Sequence, residues 1–158
     1  MTFRFGAAAP FLLTLALVVP STAGAQIPDS VIPLQTVVSE TNRFRVEYAD
    51  HFNKKDVAGL MTMYAADAIF TAEDGTRYSG KEAIAAYFTK MVPTMPHIVV
   101  TSESLLSYGG TAIDMGTITM HPPAGGEVKS RYLAVLRREL GGGGNWDLVR
   151  VARTKVTP

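Results

Sequence analysis

The sequence predicts an α+β domain, and three features carry that reading. Apolar residues recur at steps of three and four up to about residue 91. A short D-G turn and an S-G-K-E motif interrupt this pattern between residues 68 and 82. From His97 onward, long strand-like runs alternate with Gly-rich turns. Helices first and strands after imply helices covering one face of a sheet.

The first 25 residues have the pattern of an export leader. Arg4 supplies a basic start, A-A-A-P-F-L-L-T-L-A-L-V-V-P is apolar, and Ala23 and Ala25 stand where a signal peptidase needs small side chains. The apolar run is short for a bilayer-spanning helix, which takes about 20 residues. The chain has no cysteine, which rules out a lipid-anchored thioether, a disulfide, thiolate catalysis and a cysteine metal site. The expected organisation is a leader over 1–25, a linker over 26–36 and one domain over 37–154, located in the periplasm or secreted. Lys+Arg number 15 and Asp+Glu 14; removing Arg4 with the leader balances them. Such a surface has no electrostatic reason to bind nucleic acid or an anionic membrane.

Within the domain, Val37, Thr41, Phe44, Tyr48 and Phe52 form one stripe, which predicts a helix from about Leu34 to Lys54. Asp56 can cap a short second helix carrying Val57, Leu60, Met61 and Tyr64. A-I-F-T-A and T-R-Y read as two short strands around E-D-G, where Asp74 and Gly75 suit a tight turn. Ser79 and Glu82 have the spacing of a capping box before Ile84, Tyr87, Phe88 and Met91. Pro93 and Pro96 end that third helix. Four strands follow, over 97–108, 112–120, 128–139 and 145–153, with G-G-G-G at 141–144 as the last turn. Along 111–120, apolar residues of both parities imply that both sheet faces are partly covered.

Several stretches resemble the NTF2-like superfamily. They are K-D-V-A-G-L-M-T-M-Y-A-A-D-A-I-F, Y-S-G-K-E-A-I-A-A-Y-F, S-R-Y-L-A-V-L-R-R and N-W-D-L-V-R. They are similar to its polyketide-cyclase-like (SnoaL-like) and ketosteroid-isomerase-like branches, and to the small bacterial domain of unknown function 4440. The resemblance implies a cone: three N-terminal helices on a strongly curved antiparallel sheet, a pocket between them, and a homodimer that covers the outer sheet face. It also places Tyr48 at the isomerase tyrosine, Ala72 at the base and Ala134 near the strand aspartate. Methyl groups cannot move protons, so isomerase chemistry is not expected.

Asp114 lies mid-strand between Ile113 and Met115, where a carboxylate needs a partner. It is either a pocket carboxylate, or paired with Arg131 or another base, or both. Arg131 and Tyr132 point to opposite strand faces. Glu73 reads as a solvated turn residue unless a bulge re-aims it, and Asp67 as a local backbone cap. Val149 and Val151 dry the pocket where related domains carry polar groups. The three histidines form no metal-binding spacing, and no metal or cofactor is expected.

Three functions follow. The first is an exported protein binding a small apolar or amphipathic molecule through Tyr48, Phe52, Tyr64, Tyr87, Asp114, Arg131, Val149 and Val151. The second is a cyclase, isomerase or hydratase whose catalytic set is Asp114 with Tyr48 or His97. The third is an assembly role through the outer sheet face.

Overall fold

The computed structural model describes residues 32–138 and 145–156. The expected leader, most of the expected linker and the G-G-G-G turn lie outside the described residues. The elements run α1 (Leu34–Asn53), α2 (Val57–Thr62), β1 (Tyr64–Thr71), β2 (Arg77–Ser79), α3 (Lys81–Met91), β3 (His97–Tyr108), β4 (Thr111–His121), β5 (Val128–Arg138) and β6 (Trp146–Lys155). One 3₁₀ turn, Val92–Thr94, follows α3. Residues 34–36 of the expected linker form the first turn of α1.

The six strands form one curved, unclosed sheet in the order β2-β1-β6-β5-β4-β3. The four long strands pair antiparallel, as their Gly-rich turns predict. The sheet as a whole is mixed rather than antiparallel, because β1 pairs parallel to β6. The intervening helix and meander return the last strand alongside the first in the same direction.

The α1 stripe faces inward: Val37, Thr41 and Phe52 are buried, and Phe44 and Tyr48 are half-buried. At its C-terminal end the Asn53 amide donates to the Ile98 carbonyl (3.0 Å), while its oxygen accepts from the Ile98 N–H (2.8 Å). This doubly bonded amide ties the helix to β3, an edge strand of the sheet. Asp56 caps α2 as expected, accepting the Gly59 N–H at 2.8 Å. His51 bonds the other Asp56 oxygen at 2.8 Å, which accounts for one isolated histidine. Ile84 and Phe88 of α3 are buried. Phe88 meets Tyr64 and Phe70 edge-on, with ring centroids 5.9 and 5.2 Å apart.

Three local expectations are corrected. β1 starts at Tyr64, so that residue opens a strand instead of ending a helix. Ser79 does not cap α3: it pairs with Ile69 in the sheet, and Gly80, at φ +85°, is the N-cap without a side-chain bond. Asp67 does not cap backbone; its exposed carboxylate meets Arg137 at 3.2 Å. Asp74 does act as the turn residue, accepting the Thr76 N–H at 2.9 Å.

Among the described residues, two bulges interrupt the antiparallel meander. Glu103 is the extra residue on β3, where Ser102 pairs with Gly116 but Ser104 with Met115. Val149 is the extra residue on β6, where Leu148 pairs with Leu136 but Arg150 with Val135. Bulges bend a strand and reverse its inward and outward faces beyond the insertion.

Candidate functional site

A cavity lies between α1 and the concave sheet face. Thr41, Phe44, Arg45 and Tyr48 of α1 form one wall. Tyr64, Asp114, Tyr132, Ala134 and the β6 residues Leu148, Val151 and Arg153 are among the strand residues facing it. The space is about 490 Å³ when its open mouth is counted. It is a narrow cleft with the volume of a small-molecule site. Most of its lining is apolar or aromatic, with polar groups grouped at a few points, as in a small-molecule site.

Asp114 is 2% exposed and accepts three hydrogen bonds. Its Oδ2 accepts from Arg45 Nη1 at 2.8 Å and from the Tyr132 hydroxyl at 3.0 Å. Its Oδ1 accepts from the Ser102 hydroxyl at 2.5 Å. A buried carboxylate is tolerated when charge and hydrogen bonds are both met, and here they are. Asp114 also orients Arg45, whose other nitrogen reaches Asn42. Burial and the neighbouring Asp114 charge push the Tyr132 phenol well above its ordinary range.

Tyr48 and Tyr64 bring their hydroxyls to 3.4 Å of each other. Burial raises both phenols above their ordinary 10.0, Tyr64 further because Tyr48 lies beside it. A raised folded pKa adds stability that is whole below the unfolded value and lost as pH rises through the folded one. The fold is therefore expected to weaken above about pH 10 as these two phenols and Tyr132 are forced to ionise. A spectrophotometric tyrosinate titration run beside circular dichroism checks this. Ionisation of these three should coincide with unfolding. Reversible ionisation of every tyrosine near pH 10 in folded protein would contradict it.

Arg153 is the other buried cation, 8% exposed. Its Nη2 donates to Glu73 Oε1 at 2.8 Å and to the Ser130 hydroxyl at 3.0 Å. Glu73 is thus a largely buried ion-pair partner, 21% exposed, and not a solvated turn residue. The Val149 bulge explains the arrangement. Trp146 and Leu148 face inward before it; after it, the inward residues are Val151 and Arg153, and Arg150 turns outward.

Of the residues expected in the site, Tyr48, Tyr64, Asp114 and Val151 line the cavity together. Phe52 is core, 1% exposed, beneath Tyr48. Tyr87 stacks on Tyr78 with ring centroids 4.3 Å apart, away from the cavity. Val149 is buried at the bulge and does not line the cavity. Arg131 lies on the outer face, 3.4 Å from Glu103, so it is not the partner of Asp114. His97 is exposed and pairs across the sheet with His121. It lies eight residues along β3 from Leu105, the residue opposite Asp114, or roughly 25 Å. His97 therefore cannot work with Asp114. Among the described residues, no three histidine, aspartate or glutamate side chains gather to hold a metal.

Sequence reasoning missed Arg45, Ser102, Tyr132 and Arg153. Thr41, Arg45 and Ala49 follow one another at steps of four on α1, beside the apolar stripe, which was the available signal for Arg45.

A curved sheet closed by helices around one cavity is the NTF2-like architecture. Within it, the chain belongs to the SnoaL-like domain family, which matches residues 45–143, more than half of its length. That match falls on the SnoaL-like family and not on the domain of unknown function 4440, which shares the superfamily. Solved structures agree on the fold. A ketosteroid isomerase-like protein from Erwinia carotovora atroseptica is 17% identical, with a TM-score of 0.64 over 76% of this chain and 96% of that one. An NTF2-like protein of unknown function from Pseudomonas putida is 17% identical, with a TM-score of 0.66 over 78% and 89%. A protein with a cystatin-like fold from Caulobacter vibrioides is 14% identical, with a TM-score of 0.65 over 77% and 90%. At these identities the likeness is one of fold. A search of curated proteins finds no match.

Proposed function

We propose that this is an exported protein that binds a small, mostly apolar molecule beneath α1 without turning it over. The observation that carries this reading is the state of Asp114. Among the described residues lining the cavity it is the one carboxylate, and Arg45, Tyr132 and Ser102 fill three of its four acceptor sites. Each of these donors competes with a substrate proton for the carboxylate, which leaves it a poor general base. Ala134, at the position the isomerase resemblance gives to an acid, presents only a methyl group to the cavity. Ala72, at the base position, is likewise a buried methyl.

The test is to fill the cavity. Ala134→Phe should block it, and a panel of small apolar molecules is screened by thermal shift against both proteins. Ligands near 100 times their Kd should stabilise the original protein by about 2.7 kcal/mol and leave the variant unmoved. Equal responses from both folded proteins, or none from either, would overturn the reading.

Homodimerisation through the outer sheet face belongs to the same proposal. Leu106 and Leu133 are 42% and 41% exposed there. The register sets Leu106 beside Ile113 and Val135, and Leu133 beside Met115 and Ala152. The Glu103–Arg131 and Asp67–Arg137 pairs border this apolar strip. A contiguous apolar strip with a charged rim is the usual form of an interaction face. Export rests on the leader pattern, and none of the described helices is long and apolar enough to cross a membrane. Protein recovered from the producing cell should have the mass of residues 26–158; a chain retaining Met1 would refute cleavage after Ala25.

A further inference from the structure

We propose that the ligand carries a carboxylate, and that Arg153 receives it. This rests on the binding reading above and names the chemical class of the molecule bound. Arg153 lines the cavity and is more than nine-tenths buried. Glu73 and Ser130 engage only its Nη2. Among the described residues its buried Nε has no hydrogen-bond partner and Nη1 donates to none. A guanidinium has five N–H donors and no acceptor, so three are left unmet. A buried donor without a partner is costly, and native structures keep such groups for a reason that includes a missing ligand.

The rest of the cavity narrows the choice. Asp114 already accepts three hydrogen bonds, which leaves one acceptor site for a ligand's own donor. Tyr48 and Tyr64 can share one hydrogen bond, which leaves the second phenol proton free. The unused capacity of the residues lining the cavity is therefore mainly donor capacity: the free N–H groups of Arg153 and one tyrosine hydroxyl. Several donors around a mainly apolar wall match two oxygens on a small apolar body. A carboxylate takes several such bonds, and charge assistance makes them stronger than those to a neutral carbonyl. Glu73 fits this role too. Beside the turn, away from the cavity floor, it neutralises Arg153 while the site is empty and fixes the guanidinium by its Nη2.

The test is calorimetric titration of the purified protein with benzoate and hexanoate, against benzyl alcohol and hexanol as neutral partners. Each carboxylate should bind roughly tenfold or more tightly than its alcohol. Arg153→Gln should weaken carboxylate binding by the larger factor and so bring acid and alcohol to equal affinity. Glu73→Gln, which removes the competing charge, should tighten carboxylate binding severalfold; a purely structural ion pair predicts no gain. If Arg153→Gln fails to fold, Arg153→Lys and Glu73→Gln decide the matter. Equal binding of acid and alcohol, or a Glu73→Gln protein that loses both alike, would overturn the carboxylate assignment and leave cavity binding standing. Failure of all four compounds, with no response in the wider panel either, would overturn both.

Discussion

Asp114→Ala is expected to destabilise the domain by about 3–5 kcal/mol, the largest effect of any substitution considered. The cost lies in what is left behind. Arg45 and Asp114 side chains are only 12% and 3% exposed, so removing the carboxylate strands a guanidinium against an apolar cavity. The Tyr132 hydroxyl, which donates to Asp114 Oδ2, loses its acceptor as well. Ser102 loses its own at the same time. Urea unfolding measures the loss. Asp114→Asn, which keeps the shape and one acceptor oxygen, should cost less. Pairing Asp114→Ala with Arg45→Met should recover part of the loss, because the stranded charge goes with its partner. Strict additivity of the two single changes would show that the ion pair is not the source.

Gly116→Ala is expected to cost about 3 kcal/mol and to lower Tm by roughly 10 °C. The reason is space rather than backbone angle. A Cβ at this position would lie 2.0 Å from the Thr101 carbonyl oxygen and 3.0 Å from Ser102 Cα. Those atoms belong to the backbone of β3 where it turns into the Glu103 bulge, so no side-chain rotation relieves the clash. Gly75→Ala makes the contrast. Gly75 has φ +84° and nothing within 4 Å of a new Cβ, so its cost is conformational strain alone, about 1 kcal/mol. Equal losses at the two sites would mean that β3 yields easily at its bulge. The Asp114 network would then be less rigid than its geometry implies, since Ser102 lies on that same stretch.

The helices, the turn and the antiparallel meander were legible in the sequence because each depends on local periodicity and turn chemistry. The stripe from Val37 to Phe52 and the Asp56 cap took their expected places for that reason. The parallel β1–β6 pairing was not legible, since no local pattern encodes which strand a returning chain will join. Ser79 shows the same limit: its spacing to Glu82 suits a cap, but pairing with Ile69 claims it first.

The cavity was half visible. Tyr48 and Asp114, both candidates from the sequence, line one cavity, whereas Tyr132 stands there and Arg131 does not. Strand parity allowed only one of these neighbours inside, and only the register with Gly116 shows which. Arg153 was hidden by the bulge, although W-D-L-V-R-V carries its mark. The apolar residues occupy even positions at Trp146 and Leu148 and then odd ones at Val149 and Val151. That change of phase is how an inserted residue looks in a sequence. Continued past Val151, the odd phase brings Arg153 inward, where Glu73 meets it.

The most direct measurement is native mass spectrometry of the protein isolated without added ligand from the cells that make it, alongside Ala134→Phe prepared in the same way. The expected result is a small-molecule mass adduct on the original protein that is acidic when released, and no adduct on the folded variant. An adduct of equal amount on both proteins would place the ligand elsewhere. An original protein that is always empty, and that takes up no member of the panel when challenged, would contradict the cavity as a binding site.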